Sequence, residues 1–191
     1  MITEIRVNYL WKHVQNTDIG VAYIYHNYKT QADQTTTNLV GTILKQLIQE
    51  RPSIVEPVAF LFDRHTERRT GPSFEEIRTI LRLVVSSYSK VYVVVDALDE
   101  CLDHNGSRSQ LLATLRDLQS KGNLNLMATS RFIPEVAQRF SHSPVLEVRA
   151  SESDVKRFVA DQIYRLPRCV QRHDELQEAI QDGISTLVDG M

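Results

Sequence analysis

Apolar residues along this chain follow two different spacings that alternate from one segment to the next. A continuous apolar run, which is typical of a strand buried on both faces, occurs at residues 91–95, and segments rich in β-branched, aromatic or other apolar residues predict further strands at 19–25, 124–128 and 145–148. Apolar positions at helical spacing predict helices near residues 2–15, 39–48, 74–85, 107–121, 134–140, 151–163 and 171–189. Because strands and helices alternate, we expect an α/β fold whose parallel sheet is covered by helices on both faces.

Polar residues mark where several of these helices begin and end. Ser73 followed by Glu76 is the pattern of a capping box, and Ser151 is placed to cap a later helix. Asp33 or a nearby threonine is placed to cap the helix after the first strand. Gly122 is expected at the C′ position of the helix before the third strand, where a left-handed conformation favours glycine.

The segment 52–72 has a less regular pattern. The apolar residues near its start favour a short helix, whereas the charged run 63–69 favours a solvated loop. A basic binding surface is the alternative for this run, although acids are interspersed with its basic residues.

Composition and charge narrow the class of protein. The 191 residues are 42% apolar, which is enough for one domain or for one domain with a helical extension. We place the α/β domain at 1–150 and a helical extension at 151–191. The net charge of -2 gives no reason to expect a nucleic-acid or membrane partner. Two cysteines and the lack of a membrane-length apolar run or signal peptide predict a cytoplasmic protein.

The strand at residues 91–95 ends in a cluster of acids: Asp96, Asp99 and Glu100. Open α/β sheets bind their ligands at the carboxyl ends of their strands. In P-loop nucleotide hydrolases this arrangement is the Walker B motif, in which the first aspartate holds Mg²⁺ and a later acid orients water. The alternative is a buried strand that runs into a solvated acidic turn. A nucleophilic site around Cys101 and His104 is a weaker candidate, because no third orienting group is evident.

A nucleotide hydrolase of this kind also needs a phosphate-binding loop, G-x-x-x-x-G-K-[ST], whose amides and lysine neutralise the phosphates. None of the seven glycines of the chain is followed by Lys-Ser or Lys-Thr at the required position. The chain starts with the helix that normally follows this loop, so we expect the first strand and the loop to be missing.

Three segments together resemble the NACHT branch of the STAND P-loop NTPases, and within it the fungal nephrocystin-3-like N-terminal type. They are 91–100, 127–131 and 20–29. Ala97 matches the small residue that follows the family's Mg²⁺ aspartate, and Asp99 matches the acid three positions after that aspartate. Proteins of this type often carry ankyrin or WD40 repeats downstream. The resemblance implies the three-layer parallel sheet of a P-loop NTPase, here without its first strand and P-loop, followed by C-terminal helices.

The resemblance also implies a role for each residue of the site. Asp96 would coordinate Mg²⁺, and Asp99 or Glu100 would polarise the attacking water. Arg131 resembles the family's sensor arginine for the γ-phosphate, and Thr129 lies beside it in the nucleotide-binding set. The alternatives are an exposed arginine that follows a strand, and acids favoured at a helix N-terminus by its dipole.

The intact family is an ATP-dependent molecular switch that uses ATP and Mg²⁺. Because this chain lacks the Walker A lysine, we expect it neither to bind nor to hydrolyse ATP by itself. The second hypothesis is a nucleotide-independent assembly fragment that associates with itself or with related NACHT proteins. In related folds the absent first strand lies between the fourth and fifth strands, so its loss leaves a slot with unpaired backbone groups.

Overall fold

The computed structural model describes residues 2–14, 17–26, 34–51, 55–101, 103 and 106–188. The chain divides into two compact units, Met1–Ser141 and His142–Met191. Among the described residues, no helix combines the length and the apolar character needed to cross a bilayer.

The first unit carries the sheet. In chain order its elements are α1 (Ile2–Val14), β1 (Ile19–Tyr25), α2 (Thr36–Glu50), α3 (Val55–Arg68), α4 (Phe74–Ser86), β2 (Lys90–Asp96), a 3₁₀ turn (Leu98–Glu100), α5 (Ser107–Gln119), β3 (Leu124–Ala128) and α6 (Pro134–Arg139). The three strands are parallel and lie in the order β1-β2-β3. The predicted α/β fold with a parallel sheet flanked by helices is therefore confirmed.

The central strand β2 is buried on both faces, which explains its uninterrupted apolar run. Val91, Val93 and Val95 have no exposed surface and belong to one core with helices α2, α4 and α5. Val94 points to the other face of the pleat and is 1% exposed. Helix α1 packs on β1 and β2. A strand in this position needs apolar residues at every step, not at alternate steps.

The predicted helix boundaries rest on side-chain caps that the structure confirms. The Thr35 hydroxyl accepts a hydrogen bond from Asn38 N at 3.2 Å and begins α2, while Asp33 lies outside the described residues. Ser73 and Glu76 form the predicted capping box at the start of α4. Gly122 has a φ of +94° and lies two residues after the cap of α5 at Ser120, one position later than expected.

The prediction of a loop at 63–69 was wrong, because α3 continues through residue 68. Val58 and Leu61 are buried and three residues apart, so α3 packs one face inward. Arg64 and His65 both pair with Glu76 of α4. The charged run is therefore the polar side of an amphipathic helix.

The prediction of a fourth strand at 145–148 was also wrong. This segment has no regular structure, and Val145, Leu146 and Val148 are 81%, 74% and 63% exposed. The regular elements that the structure describes in its own unit are all helical: α7 (Glu152–Gln162), a 3₁₀ turn (Ile163–Arg165), α8 (Arg168–Gln171) and α9 (Asp174–Val188). A β-branched run forms a strand only where a neighbouring strand supplies hydrogen bonds, and the residues described in this unit, 142–188, include no such strand.

The second unit is held together by packing of α7 on α9. Ser151 forms a capping box with Asp154, as its position predicted. Lys156 of α7 contacts Glu152 on its own helix and Asp182 on α9, each at 2.9 Å. The last helix begins at Asp174, later than the predicted start, because residues 168–171 form a separate short helix.

Candidate functional site

The acidic residues singled out in the sequence lie at the carboxyl edge of the sheet, together with the residues that follow β3. Strand β2 ends at Asp96, and the next turn presents Asp99 and Glu100. Because β3 runs parallel to β2, with Val95 opposite Ala128, the two residues Thr129 and Arg131 emerge at the same edge. We call these five residues the acidic corner.

A single hydroxyl connects the ends of the two strands. Thr129 Oγ1 donates a hydrogen bond to Asp96 Oδ1 at 2.5 Å and accepts one from Ala97 N at 3.0 Å. Backbone hydrogen bonds between the strand ends add to it, including Leu98 N to Thr129 O at 2.9 Å. The Asp96 carboxylate is therefore held in a defined orientation.

The turn after Asp96 has a strained but anchored backbone. Ala97 adopts a left-handed conformation with φ at +53°, which a bulky or β-branched residue tolerates poorly. The side chain of Leu98 is fully buried and fixes the turn to the core. The small residue after Asp96 is thus explained by the backbone angle that presents Asp99 and Glu100.

Asp99 and Arg131 form an ion pair that joins the β2 turn to the end of β3. Arg131 donates through its backbone N to Asp99 Oδ1 at 3.0 Å and through Nε to Oδ2 at 2.6 Å. The Asp99 side chain is only 9% exposed, whereas that of Arg131 is 84% exposed. Burial alone would raise the pKa of Asp99, but the hydrogen bonds from Arg131 outweigh it and hold the pKa below its ordinary value. Asp99 is thus an ionised carboxylate engaged by a cation.

The structure adds one residue that the sequence analysis did not select. His26 directly follows β1, donates its backbone N–H to Asp96 O at 3.2 Å, and is 6% exposed. Its Nδ1 lies 2.9 Å from Gln34 Oε1, and its buried Nε2 has no hydrogen-bond partner among the described residues. Burial lowers the pKa of His26, although the charges of Glu100, Asp96 and Asp99 act in the opposite direction. One feature of the sequence indicated that His26 would lie near the acidic corner. His26 is a polar residue directly after β1, and β1 and β2 end side by side.

The acidic corner does not form a complete metal site by itself. In the described part of the chain, no group of three or more His, Cys, Asp or Glu side chains is arranged to hold a metal ion. Mg²⁺ is commonly held by one or two carboxylates together with phosphate oxygens and waters. The oxygen ligands that the acidic corner could contribute to such an ion are the carboxylates of Asp96, Asp99 and Glu100.

The structure does not support the weaker candidate, a nucleophilic site around Cys101. Cys101 is buried, and burial raises the pKa of its thiol to about 11, so the nucleophilic thiolate is scarce at neutral pH. Asp103 accepts hydrogen bonds from Ser109 N at 3.2 Å and Ser109 Oγ at 2.9 Å. This geometry anchors the start of α5, and His104 lies outside the described residues.

Comparison with known families finds one match that covers most of the sheet-bearing unit. The family described as Nephrocystin 3, N-terminal matches residues 5–131, about two thirds of the chain. The matched range ends at Arg131 and includes the whole acidic corner. No curated protein matches the chain.

Proposed function

Because the chain belongs to the nephrocystin-3 N-terminal family, we propose that the acidic corner is the Mg²⁺- and phosphate-facing half of a nucleotide site in a NACHT-type signalling module. The observation that carries this proposal is the pairing of Asp96 with Thr129 and of Asp99 with Arg131 across two adjacent parallel strands. Two acids and one arginine are thereby placed at the sheet edge where α/β proteins bind ligands.

Each residue has a role that follows from its present contacts. Asp96, oriented by Thr129, supplies a carboxylate to the Mg²⁺ ion that accompanies the nucleotide. Mg²⁺ neutralises the phosphate oxygens when it is bound. Glu100, or Asp99 once released from Arg131, polarises a water molecule. Arg131 is the phosphate sensor, since a guanidinium matches two phosphate oxygens at once.

The ion pair suggests how such a module switches. Arg131 already has an anionic partner in Asp99, so a phosphate must compete with that carboxylate for the guanidinium. The high exposure of Arg131 allows its side chain to move without disturbing the core. Exchange of Asp99 for a phosphate would free the carboxylate and change the turn at Leu98–Glu100. We propose this exchange as the local event that reports nucleotide binding.

The other half of a nucleotide site, the phosphate-binding loop with its lysine, is not present in residues 1–191. Asp96 and Arg131 together cannot hold the triphosphate against water, because most of the phosphate contacts come from that loop. We therefore propose that the chain alone binds Mg²⁺·ATP weakly and does not hydrolyse it.

Calorimetric titration of the 191-residue chain with Mg²⁺·ATP tests the weak-binding proposal. We expect no saturable binding below about 1 mM, a dissociation constant that corresponds to roughly 4 kcal/mol of binding free energy. Micromolar affinity would contradict the idea that the loop is required.

A longer chain tests the assignment of the acidic corner itself. A strand and a G-x-x-x-x-G-K-T loop from a family member are joined before residue 1. We expect this chain to bind Mg²⁺·ATP and Asp96→Asn to weaken binding in Mg²⁺ but not in EDTA. Arg131→Ala should reduce the preference for ATP over ADP, and Arg139→Ala, another exposed arginine, is the matched control. If Asp96→Asn leaves Mg²⁺-dependent binding unchanged, the role of Asp96 is wrong.

A second function rests on β3, which is an edge strand of the described sheet. Its residues Leu126, Met127 and Ala128 are only half-buried, and an edge with unpaired N–H and C=O groups is a template for another chain. The alternative proposal is an assembly fragment that adds a strand here. Light scattering over a concentration series should then show a dimer that Leu126→Pro dissociates. A stable monomer at all concentrations would contradict this alternative.

A further inference from the structure

The connection between α3 and α4 carries an exposed hydroxyl that has no part in the acidic corner. Helix α3 ends at Arg68, α4 begins at Phe74, and residues 70–73 have no regular structure. Thr70 is exposed, and a Cβ added at Gly71 would meet nothing within 4 Å. Exposed segments of this kind are accessible to the active site of another protein, because their backbone is not engaged in a helix or a strand.

A chain of hydrogen bonds links this hydroxyl to the start of α4. Thr70 Oγ1 lies 2.7 Å from His65 Nδ1, and His65 Nε2 lies 3.2 Å from Glu76 Oε2. An ionised carboxylate only accepts hydrogen bonds, so Nε2 carries the ring hydrogen and Nδ1 accepts from the Thr70 hydroxyl. The His65 side chain is 13% exposed. A group attached to Thr70 Oγ1 would therefore lie directly against a ring that is held in place.

The two residues before Thr70 are both basic. Arg68 and Arg69 are exposed, and neither forms an ion pair in the described part of the chain. Protein kinases select their substrates partly by the pattern of charges around the hydroxyl. Two accessible guanidinium groups suit a kinase whose cleft presents carboxylates, and they also favour a phosphate group once it is attached nearby.

Two other exposed serines lie in less favourable surroundings. Ser73 Oγ donates to Glu76 Oε2 at 2.8 Å and accepts from Glu76 N at 3.4 Å. Ser151 has Arg149 two positions before it, but its Oγ donates to Asp154 Oδ2 at 2.6 Å. A phosphate on either serine would lie against a carboxylate, which like-charge repulsion disfavours. The threonine hydroxyl instead lies against an imidazole.

We propose that Thr70 is a phosphorylation site for an arginine-directed protein kinase. The γ-phosphorus of ATP forms a bond to Thr70 Oγ1, its bond to the β,γ-bridging oxygen breaks, ADP leaves, and the hydroxyl proton passes to the base of the kinase. The phosphate oxygens then face His65 Nδ1, and a doubly protonated imidazole donates to the phosphate on one side and to Glu76 on the other. The modification strengthens the contact between α3 and α4 and is independent of the acidic corner.

The first test locates the phosphate. The 191-residue chain is incubated with Mg²⁺·ATP and the catalytic fragment of protein kinase C, which selects an arginine two positions before the hydroxyl. We expect peptide mass spectrometry to find the phosphate on Thr70, and Arg68→Ala to slow its transfer roughly tenfold. Arg172→Ala, another exposed arginine, is the matched control. No phosphate on Thr70, or an equal rate in Arg68→Ala, would overturn the site.

The second test examines the contact with His65 through the Tm of each protein before and after phosphorylation. We expect phosphorylation to raise the Tm by about 2–4 °C, the shift that one added interaction gives in a chain of this size. His65→Leu is similar in size but cannot donate, so it should be phosphorylated without this rise. Far-UV circular dichroism verifies that the variant is folded. A lowered Tm in the wild-type chain, or the same rise in His65→Leu, would contradict the proposed contact.

Discussion

Thr129 shows how one side chain can organise the acidic corner. Its hydroxyl is a donor to the Asp96 carboxylate and an acceptor for the Ala97 amide at the same time. Valine has nearly the same shape but lacks the oxygen, whereas serine is smaller and retains it.

Thr129→Val should therefore lower the free energy of unfolding by about 1–3 kcal/mol, because the Ala97 N–H and one Asp96 oxygen lose their partner in a half-buried site. Thr129→Ser keeps the hydroxyl and is the control, with a smaller loss. Urea unfolding followed by circular dichroism measures both. Equal stabilities of the two variants would show that the hydroxyl bridge contributes nothing.

Gly20 is needed for a different reason, which is that the packing around it leaves no room for a side chain. A Cβ at this position would lie 2.7 Å from Leu47 Cδ2 and 3.3 Å from the Tyr88 ring. Both neighbours belong to the buried core. The start of β1 can approach α2 closely only because this residue has no side chain.

We expect Gly20→Ala to destabilise the protein by about 1–3 kcal/mol, the usual cost of overpacking a dense core. The matched control is Gly71→Ala, since a Cβ at Gly71 meets nothing within 4 Å. That control should be neutral or slightly stabilising. Thermal unfolding compares the two, and a neutral Gly20→Ala would mean that Leu47 moves away at little cost.

Glu76 shows how one residue can cap the start of its own helix, α4, and also contact a neighbouring helix, α3. Glu76 accepts from Ser73 N at 2.8 Å and from Ser73 Oγ at 2.8 Å, and it also pairs with His65 Nε2 at 3.2 Å on α3. The hydrogen bonds from the Ser73 backbone and side chain lower the pKa of Glu76 from 4.5 to about 2. Both the helix start and the α3 contact therefore depend on an ionised Glu76.

The sign of the pH effect follows from the lowered pKa. Stability from ionised Glu76 is fully present above pH 4.5 and is lost as the pH falls towards about 2. Glu76→Gln keeps a capping amide but does not titrate. We expect wild-type stability to fall more steeply than that of Glu76→Gln between pH 4.5 and 2, as measured by urea unfolding. Carboxyl NMR should show Ser73→Ala moving the Glu76 pKa back towards 4.5, and a wild-type value already near 4.5 would contradict the cap.

At the scale of the whole molecule, the apolar residues of the chain differ widely in how much they contribute to the buried core. The core of the first unit extends from Ala22 to Val136 and joins the sheet to α2, α4 and α5. The exposed apolar segment 145–148 belongs to the other unit and contributes no buried residue.

Substitutions should reveal this difference. Leu112→Ala, in the fully buried face of α5, is expected to cost about 2–5 kcal/mol through lost burial and a cavity. Leu146→Ala, at 74% exposure, is expected to change stability by less than about 0.5 kcal/mol. Chemical unfolding of both variants is the measurement. A large loss in Leu146→Ala would mean that this segment is buried against something when the protein is in solution.

Sequence by itself determined the features that depend on near neighbours along the chain. The run 91–95, the stripe on α2 and the caps at Ser73 and Ser151 are local patterns, and each formed the predicted element. The position of the acidic corner was also predictable, because parallel strands end at a common edge.

Only the tertiary structure decided the features that depend on partners distant in sequence. The charged run of α3 became helical because Val58 and Leu61 are buried while Glu76 of α4 pairs with its polar side. The run 145–148 remained irregular because no strand lies beside it in the described part of its own unit. The Asp99–Arg131 pair joins residues 32 positions apart. Burial and pairing of this kind are properties of the folded chain, and no local spacing encodes them.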